Sequence, residues 1–521
     1  MNRKQVIALI VVFVAIIVLT SAFYLYFLFP SQPTIKAVPD RKISLFPKKR
    51  EKVVNPPTLD SLLIAIKNLA EGDSMRHGNF GFYLASLDSG NVLAEYNSEL
   101  SLVPASVLKT VTTGVALAKL GPGFTYTTRL QYDGTIDKAK KTLNGNIYIK
   151  GMGDPSLGSP VFYEKGEKDV LARWLAAIKS LGVDTINGSI IGDDSEVDND
   201  PISVGWAWED IQSDYGVGPS GLSFRENLFD VYLTGGSPHF KVDPAVPQLK
   251  LYNKVAGSVG PIKNYAYVTG GPYLNEKVIL GEVEKGAEFK IQSAVPDAPL
   301  FCAFNLFNTL RENKIIIRDS INTIRVLNNN DKKLLLPRTT INTIYSPALA
   351  SLVYHTNHVS QNFYAESILR TMSLMEHGYG STAGGTNVVY KYFTGKDIRL
   401  GGFYMVDGSG LSRFDGICTR QLAQMLRVFA MDSTVFPAFY NSLPIAGQSG
   451  TLSSICKGTC AEKNIRAKSG YMTRVRSYAG YVTTKGNQKL VFAMIANNHG
   501  YDVMGMRGKL EELMVKMAEL E

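Results

Sequence analysis

The chain has 521 residues and a hydrophobic content of 45%, which permits a large core and more than one domain. Its formal net charge is +9, but residues 1–52 hold nine Lys or Arg and only two acidic residues, which leaves +2 for everything else. This nearly balanced remainder excludes an electrostatic case for nucleic-acid binding, so no nucleic-acid partner is expected.

An apolar segment opens the chain. Val6 to Phe29 is long enough to cross a bilayer, with basic residues before it and aromatic residues at its far end, so residues 1–29 are predicted to be a membrane anchor. A cleaved signal peptide is the alternative, because Thr20-Ser21-Ala22 offers a small-residue cleavage site. The apolar run continues past Ala22 and therefore favours the anchor. Residues 30–56 are rich in Pro and charge, which indicates a disordered linker.

The remaining pattern predicts an α+β fold. The predicted elements, in chain order, are a helix at about Leu59 to Leu69, strands Phe80 to Leu87 and Val92 to Tyr96, helices Thr110 to Leu120 and Phe363 to Met375, strands Ser477 to Thr484 and Lys489 to Ala496, and a helix from about Asp502 to Leu520. Hairpins at both ends, with helices between and after them, predict an antiparallel sheet covered by helices on both faces. Residues 57–136 and 336–521 would form this discontinuous domain, and residues 137–335 a large inserted β-rich region.

Three short motifs occur in the order of a serine acyl-transfer site. They are Ser106-Val107-Leu108-Lys109, Ser360-Gln361-Asn362 and Lys468-Ser469-Gly470. A serine hydroxyl needs a base within hydrogen-bond reach to act as a nucleophile. Positions i and i+3 of a helix lie on one face, so Lys109 can reach Ser106.

Each motif alone also has an ordinary structural explanation. Ser106 could simply start a helix, Ser360-Gln361-Asn362 could be an N-cap, and Lys468-Ser469-Gly470 could be a plain loop. A second Ser-x-x-Lys match runs from Ser454 to Lys457, but it lies downstream of Ser360 in glycine-rich, loop-like surroundings. The combination of three motifs in the correct order therefore favours Ser106 as the reactive serine.

With these motifs, the chain resembles the class C low-molecular-mass penicillin-binding proteins, which are D-alanyl-D-alanine carboxypeptidases and endopeptidases of peptidoglycan. The resemblance covers nearly all of the chain beyond the N-terminal tail. Supporting strings are Gly151–Leu157, Gly205–Asp210, Asn362–Glu366, Asp407–Arg413 and Ile465–Gly470. The resemblance implies a β-lactamase/transpeptidase-like serine domain, and the long separation of Ser106 from Ser360 matches the insertion that this family carries.

The resemblance also implies the catalytic roles. Ser106 would be the nucleophile and Lys109 its base, with a pKa lowered by burial and by nearby cations such as Lys468. Ser360 would relay a proton to the departing D-alanine amine. No cofactor and no metal are expected.

The substrate-binding roles come from the same resemblance. Asn362 would hold the substrate amide, and Lys468 and Ser469 would bind the terminal carboxylate. Gly470 would let the substrate backbone approach the strand. Backbone N–H groups of Ser106 and Tyr471 would form the oxyanion hole.

The chain departs from the family pattern in a few places. Gln361 replaces a residue that is often acidic, and Ser469 stands where Thr is more frequent, yet neither change removes a needed group. Tyr471 and Met472 are larger than the usual residues, which bears on the shape of the substrate groove. Asp407–Arg413 is glycine-rich and could be only a turn.

Other residues give weaker signals. Trp206 and Trp208 are expected in the core or rim of the inserted region rather than in a sugar-binding platform. Cys456 and Cys460 could form a disulfide in an exported protein, and the alternative is that cysteines, including Cys302 and Cys418, remain free thiols. His355 and His358 have i,i+3 spacing without obvious partner ligands for a metal.

The expected partners are peptidoglycan stem peptides, β-lactam antibiotics, and the membrane through the N-terminal segment. Peptidoglycan lies outside the cytoplasm, so the enzyme is expected on the extracytoplasmic, periplasmic side of the cell envelope, although a positive-inside count favours the opposite orientation. The alternatives are a β-lactamase or esterase-like hydrolase, and a non-catalytic penicillin-binding or wall-binding sensor. A Ser-His-Asp hydrolase is excluded because the chain has no Gly-x-Ser-x-Gly motif.

Overall fold

A computed structural model of the chain describes residues 57–260, 264–329 and 337–521. Its strands are β1 (Asn79–Ser86), β2 (Val92–Tyr96), β3 (Ser101–Leu102), β4 (Thr127–Tyr132), β5 (Thr135–Asp137), β6 (Thr142–Asn144), β7 (Ile147–Lys150), β8 (Thr185–Ile186), β9 (Ile190–Asp193), β10 (Leu228–Thr234), β11 (Phe240–Asp243), β12 (Lys250–Asn253), β13 (Ala256–Ser258), β14 (Tyr265–Thr269), β15 (Glu276–Glu284), β16 (Glu288–Ala294), β17 (Ile316–Ile317), β18 (Ile321–Thr323), β19 (Thr339–Tyr345), β20 (Ile417–Cys418), β21 (Ile465–Met472), β22 (Val475–Thr483) and β23 (Lys489–Asn497).

The described residues form eleven α-helices. They are α1 (Pro57–Ala70), α2 (Lys109–Leu120), α3 (Glu167–Ser180), α4 (Ala298–Glu312), α5 (Ile324–Asn329), α6 (Leu349–Val359), α7 (Asn362–His377), α8 (Thr382–Thr394), α9 (Thr419–Ala430), α10 (Phe436–Ser442) and α11 (Val503–Ala518). Four of these eleven, α1, α2, α7 and α11, lie where the sequence predicts a helix. Bounds shift by a residue or two from the predicted ones, which is the usual uncertainty of helix ends.

A five-stranded antiparallel sheet joins the two ends of the described chain. Its strand order is β2-β1-β23-β22-β21, so the N-terminal hairpin pairs directly with the C-terminal strands. The predicted α+β class, with a sheet that draws strands from both ends, is confirmed. The long range of these pairings explains why the sequence could predict the hairpins but not their order in the sheet.

The sheet is buried on both faces because its strands alternate between two cores. Phe82 and Leu84 pack with α1 and α11 on one face. Tyr83 and Ala85 face the other way, where they pack with α2 and α6 to α10. This alternation follows from the two-residue repeat of a strand. Helices therefore cover both faces, as predicted.

The region between residues 137 and 335 is rich in strands. β10, β11 and β16 form one sheet and β12 to β15 another, while α3 and α4 pack against the shared core. β4 and β19 flank this region and pair with each other antiparallel, so the chain enters the region and leaves it at adjacent positions. Both strands also continue into the sheet of β7, β9 and β18. The described residues form a single compact unit, and the division into a catalytic domain and an insertion stays a prediction.

Some sequence-based expectations concern residues outside this description. The predicted anchor and linker, residues 1–56, lie outside the described residues. Among the helices that are described, none is both long and apolar enough to span a membrane. All four cysteines are free thiols in the structure, with Cys302, Cys418 and Cys456 buried and Cys460 exposed.

Helix α2 is buried in the core on one face of the five-stranded sheet. Every residue from Lys109 to Leu117 is buried. Gly114 lies against the ring of Phe429 on α9 so closely that an added Cβ would sit 2.2 Å from a ring carbon. A glycine in a helix interior costs stability, so its presence here reflects the close packing of two helices.

We predict that Gly114→Ala destabilises the protein by roughly 1–3 kcal/mol, because overpacking against Phe429 outweighs the better helix propensity of alanine. Urea denaturation followed by circular dichroism measures this change. Gly123→Ala is the matched control, since no atom lies within 4 Å of the Cβ it would add. A Gly114→Ala protein as stable as the wild type would show that the helices can separate without cost.

Candidate active site

Ser106 lies in a single turn of 3-10 helix, Ala105–Leu108, that runs directly into α2. Ala105, the residue before it, is fully buried and has a positive φ of 51°. Such a conformation is unfavourable for a residue with a side chain and persists only where the surroundings impose it. The turn is thus held in a fixed shape at the start of the central helix.

Lys109 lies one turn after Ser106 and has no exposed surface. Its Nζ atom donates to Ser106 Oγ at 2.8 Å, to Asn362 Oδ1 at 2.5 Å and to the carbonyl oxygen of Ser409 at 2.7 Å. Burial lowers the pKa of Lys109 to about 7, although nearby carboxylates act in the opposite direction. Near neutral pH a substantial fraction of the amine is therefore uncharged and can accept a proton.

Ser360 and Asn362 lie at the junction between α6 and α7. Ser360 ends α6 in the left-handed conformation, with φ of 65°, and Gln361 occupies the N-cap position of α7 without a side-chain cap bond. The triad thus does supply the N-cap residue of α7, but that residue is Gln361 and not Ser360. The sharp junction directs Asn362 towards Lys109 and Ser360 towards Lys468.

Lys468 is the second fully buried lysine of the site and lies on β21. Its Nζ atom donates to Ser360 Oγ at 2.8 Å and to the carbonyl oxygen of Ser469 at 2.7 Å. Burial lowers the pKa of Lys468 well below its usual value, and the positive charges of Lys109 and Arg476 lower it further. The charge of Lys109 thus lowers the pKa of Lys468, whereas the pKa of Lys109 itself is lowered by burial and not by Lys468.

The rest of the third motif lines the same strand. Ser469 donates its hydroxyl to Thr451 Oγ1 at 2.8 Å. A Cβ added at Gly470 would lie 2.8 Å from the carbonyl oxygen of Pro104 and 3.1 Å from Ser106 N. This glycine therefore lets the turn Ala105–Leu108, which we call the nucleophile turn, contact β21. Tyr471 is half exposed, and its ring lies against the guanidinium of Arg476.

The three motifs therefore converge on one place. Ser106 pairs with Lys109 and Ser360 pairs with Lys468, while Asn362 binds Lys109 and Gly470 lies beside the backbone of Ser106. A hydroxyl beside a partly neutral amine is the arrangement that activates a serine nucleophile.

Comparison with known proteins places this arrangement in a family. The model of the D-Ala-D-Ala carboxypeptidase 3 (S13) family matches residues 62–517. The chain belongs to this family. The resemblance to class C penicillin-binding proteins is thereby confirmed.

Individual relatives of the S13 family are distant but nearly full length. The chain is 24% identical over 443 residues to D-alanyl-D-alanine carboxypeptidase DacB of Haemophilus influenzae, covering 83% of this chain and 87% of that one. It is also 24% identical over 451 residues to a D-alanyl-D-alanine carboxypeptidase of Actinomadura, covering 83% and 80%. The crystal structure of penicillin binding protein 4 from Haemophilus influenzae matches with a TM-score of 0.73 at 22% identity, over 88% of this chain and 98% of that chain, which confirms the fold.

The second Ser-x-x-Lys match of this S13 chain has a different environment. Ser454 is exposed, and both its hydroxyl and its carbonyl oxygen accept hydrogen bonds from Arg507. Its motif partner, Lys457, is exposed as well. This serine therefore lacks the buried amine that Ser106 has.

The sequence analysis missed several residues that support the site. Glu366 and Asp407 bind the loop that presents the Ser409 carbonyl oxygen to Lys109. From the region between β9 and β10, the backbone carbonyl of Tyr215 accepts from Asn362 Nδ2 at 2.7 Å, and Trp206 Nε1 donates to Asp407 at 2.9 Å.

Only part of this support had a signal in the sequence. The string Asp407–Arg413 supports the resemblance but is equally compatible with a plain turn. In the structure it forms the loop whose Ser409 carbonyl oxygen accepts from Lys109. Trp206 is buried and Trp208 is 61% exposed, so only Trp206 contributes to this support. His355 packs edge-on against the ring of Tyr364, and His358 stacks on Tyr354.

Proposed function

We propose that this protein is a serine-type D-Ala-D-Ala carboxypeptidase, with DD-endopeptidase activity, that acts on peptidoglycan stem peptides through an acyl-enzyme at Ser106. One observation carries the proposal: the Nζ atom of a fully buried lysine, with a pKa of about 7, lies 2.8 Å from the hydroxyl of Ser106. Membership of the S13 family and the names of its relatives supply the substrate class.

In the proposed acylation, Ser106 Oγ attacks the carbonyl carbon of the penultimate D-alanine while neutral Lys109 takes its proton. Backbone N–H groups of Ser106 and Tyr471 stabilise the oxyanion. The bond to the terminal D-alanine then breaks, and the leaving amine receives a proton through Ser360, whose hydroxyl is hydrogen bonded to Lys468. Water hydrolyses the acyl-enzyme and regenerates Ser106. An endopeptidase reaction uses the same steps with a cross-linked amine as the leaving group.

The terminal carboxylate of the substrate is assigned to Lys468 and Ser469. A buried lysine with a lowered pKa is poised to gain a proton when a carboxylate arrives, because the negative charge stabilises the ammonium form. Charge-assisted bonds of this kind are about twice as strong as neutral ones. Asn362 would hold the substrate amide between the two lysines.

We further propose that penicillin acylates the same serine. A β-lactam carbonyl presents the same electrophile to the activated hydroxyl, and penicillin binding protein 4 of Haemophilus influenzae, which shares this fold, has been solved "complexed with novel beta-lactam". The intact pairs Ser106–Lys109 and Ser360–Lys468 support an acylating enzyme over a non-catalytic sensor.

The location that fits this substrate is the cell envelope, outside the cytoplasm. The apolar segment Val6 to Phe29 would anchor the protein to the membrane, and the linker 30–56 would hold the catalytic residues away from the surface.

The first prediction concerns the site of acylation. After incubation with penicillin, intact-mass analysis and peptide mapping should find one adduct, on Ser106, because this serine has a buried amine beside it. Ser106→Ala should abolish both the adduct and D-alanine release, whereas the matched control Ser454→Ala should retain both. An adduct on Ser454 would sink the assignment.

The second prediction concerns the carboxylate. Lys468→Ala should lower kcat/KM for a peptide with a free terminal carboxylate by about ten- to 150-fold, the worth of one charge-assisted hydrogen bond of roughly 1.5–3 kcal/mol. The exposed Lys489, the first residue of β23, provides the control variant Lys489→Ala. Equal wild-type rates for the free and the amidated peptide would contradict carboxylate recognition.

The third prediction concerns the N-terminal segment. Deletion of residues 1–56 should remove membrane attachment and leave penicillin acylation unchanged, because all motif residues lie beyond this segment. Fractionation of cells and acylation of the purified protein measure the two effects. A truncated protein that is folded by circular dichroism but no longer acylated would show that the tail belongs to the catalytic unit.

A further inference from the structure

The catalytic lysine has one acceptor that none of the three motifs supplies. Ser106 Oγ and Asn362 Oδ1 are motif atoms, but the third acceptor is the main-chain carbonyl oxygen of Ser409, at 2.7 Å from Lys109 Nζ. A backbone carbonyl can hold an amine in place only if its own peptide is fixed. The position of Lys109 therefore depends on what fixes the loop around Ser409.

Glu366, which lies on α7 one turn after Asn362, binds this loop directly. A single carboxylate oxygen, Oε1, accepts from the backbone N–H groups of Gly408 at 2.9 Å and Ser409 at 2.8 Å. The Gly408 carbonyl oxygen in turn accepts from Thr112 Oγ1 on α2 at 2.6 Å. The peptide between Gly408 and Ser409 is thus held from both sides.

Asp407 fixes the other half of the loop. Its Oδ1 atom accepts from the backbone N–H of Gly410 at 2.7 Å, and its Oδ2 atom accepts from the N–H of Ser412 at 2.7 Å and from Trp206 Nε1 at 2.9 Å. Gly410 approaches the nucleophile turn so closely that an added Cβ would lie 2.1 Å from the carbonyl oxygen of Ala105. The loop is therefore packed against Ser106 as well as bound to Lys109.

We propose that Glu366 is a positioning residue for the catalytic lysine: its carboxylate fixes the Gly408–Ser409 peptide, whose carbonyl oxygen accepts from Lys109, and it brings an ionisable group into the surroundings of the amine. This inference rests on the proposed function, since it assigns the groups that prepare its base. The Glu366 carboxylate would act in two ways, through the hydrogen bonds that its Oε1 atom accepts and through its negative charge.

The charged surroundings define the sign of the electrostatic part. Asp407, Glu366 and Asp415 all raise the pKa of Lys109 against the effect of burial, and the charge of Lys109 in turn lowers the pKa of Lys468. Burial and the charge of Asp407 raise the pKa of Glu366 to about 7, while the positive charge of Arg370 lowers it. Burial raises the pKa of Asp415 well above its usual value, and the negative charge of Asp407 raises it further.

The test is the pH dependence of acylation in Glu366→Gln. Glutamine keeps an Oε1 atom that can accept both backbone bonds but removes the charge, so the pKa of Lys109 should fall and the neutral amine should persist at lower pH. The acid limb of the second-order rate of penicillin acylation should therefore move to lower pH by up to about one unit, because Glu366, with a pKa of about 7, is ionised only in part over this range. A residue with only a structural role would change the rate without moving the limb.

Two other variants control this experiment. Asp415→Asn removes the carboxylate that raises the pKa of Lys109 least among the three, and asparagine retains an oxygen for the N–H of Val406, so its acid limb should move less than that of Glu366→Gln. Trp206→Phe removes one donor to Asp407 without any change of charge. It should slow acylation several-fold and leave the limb in place, because it loosens the loop alone.

The outcomes distinguish this inference from the proposed function. If the wild type forms no adduct at Ser106, the proposed function fails. If the wild type is acylated normally and folded Glu366→Gln has an unchanged or upward-shifted acid limb, the electrostatic role is overturned. If Glu366→Gln does not fold, Trp206→Phe still tests the loop. A wild-type acylation rate in Trp206→Phe would show that the loop does not position Lys109, and would overturn the positioning role of Glu366 that acts through it.

Discussion

One buried amine determines how the rest of this structure is arranged. Lys109 has three hydrogen-bond acceptors, and two of them lie 253 and 300 positions away along the chain. An ammonium buried without acceptors would cost several kcal/mol, so these distant segments must reach it for the fold to tolerate the lysine at all. The same burial lowers its pKa to about 7, which makes the residue useful as a base.

The sheet and the central helix provide the rigid frame for this contact. Both faces of the five-stranded sheet are buried, and α2 lies within the core on one of them. Gly470 on β21 brings the sheet against the nucleophile turn, and Gly410 brings the loop of Asp407 against the same turn. Glycines occupy the positions where these backbones approach most closely, so Ser106 is held between two surfaces that have little freedom to move.

The region between β4 and β19 is connected to the site through hydrogen bonds. The carbonyl of Tyr215 orients the amide of Asn362, and the indole of Trp206 donates to Asp407. These bonds reach the side chain and the loop that bind Lys109. The region between β4 and β19 thus helps to support Lys109.

The sequence by itself determined the chemistry of the site. Ser106 and Lys109 are the first and last residues of a four-residue turn, so their contact follows from local helix geometry. The hairpins follow from two-residue alternation near turn signals. It did not determine that Glu366, Asp407 and the Ser409 carbonyl complete the surroundings of Lys109, or that Gly470 touches the nucleophile turn. Main-chain acceptors have no residue-type signature, and a left-handed Ser360 has none either. These contacts join segments that are hundreds of positions apart, so only the tertiary path of the chain, fixed by burial on both faces of the sheet, decided them.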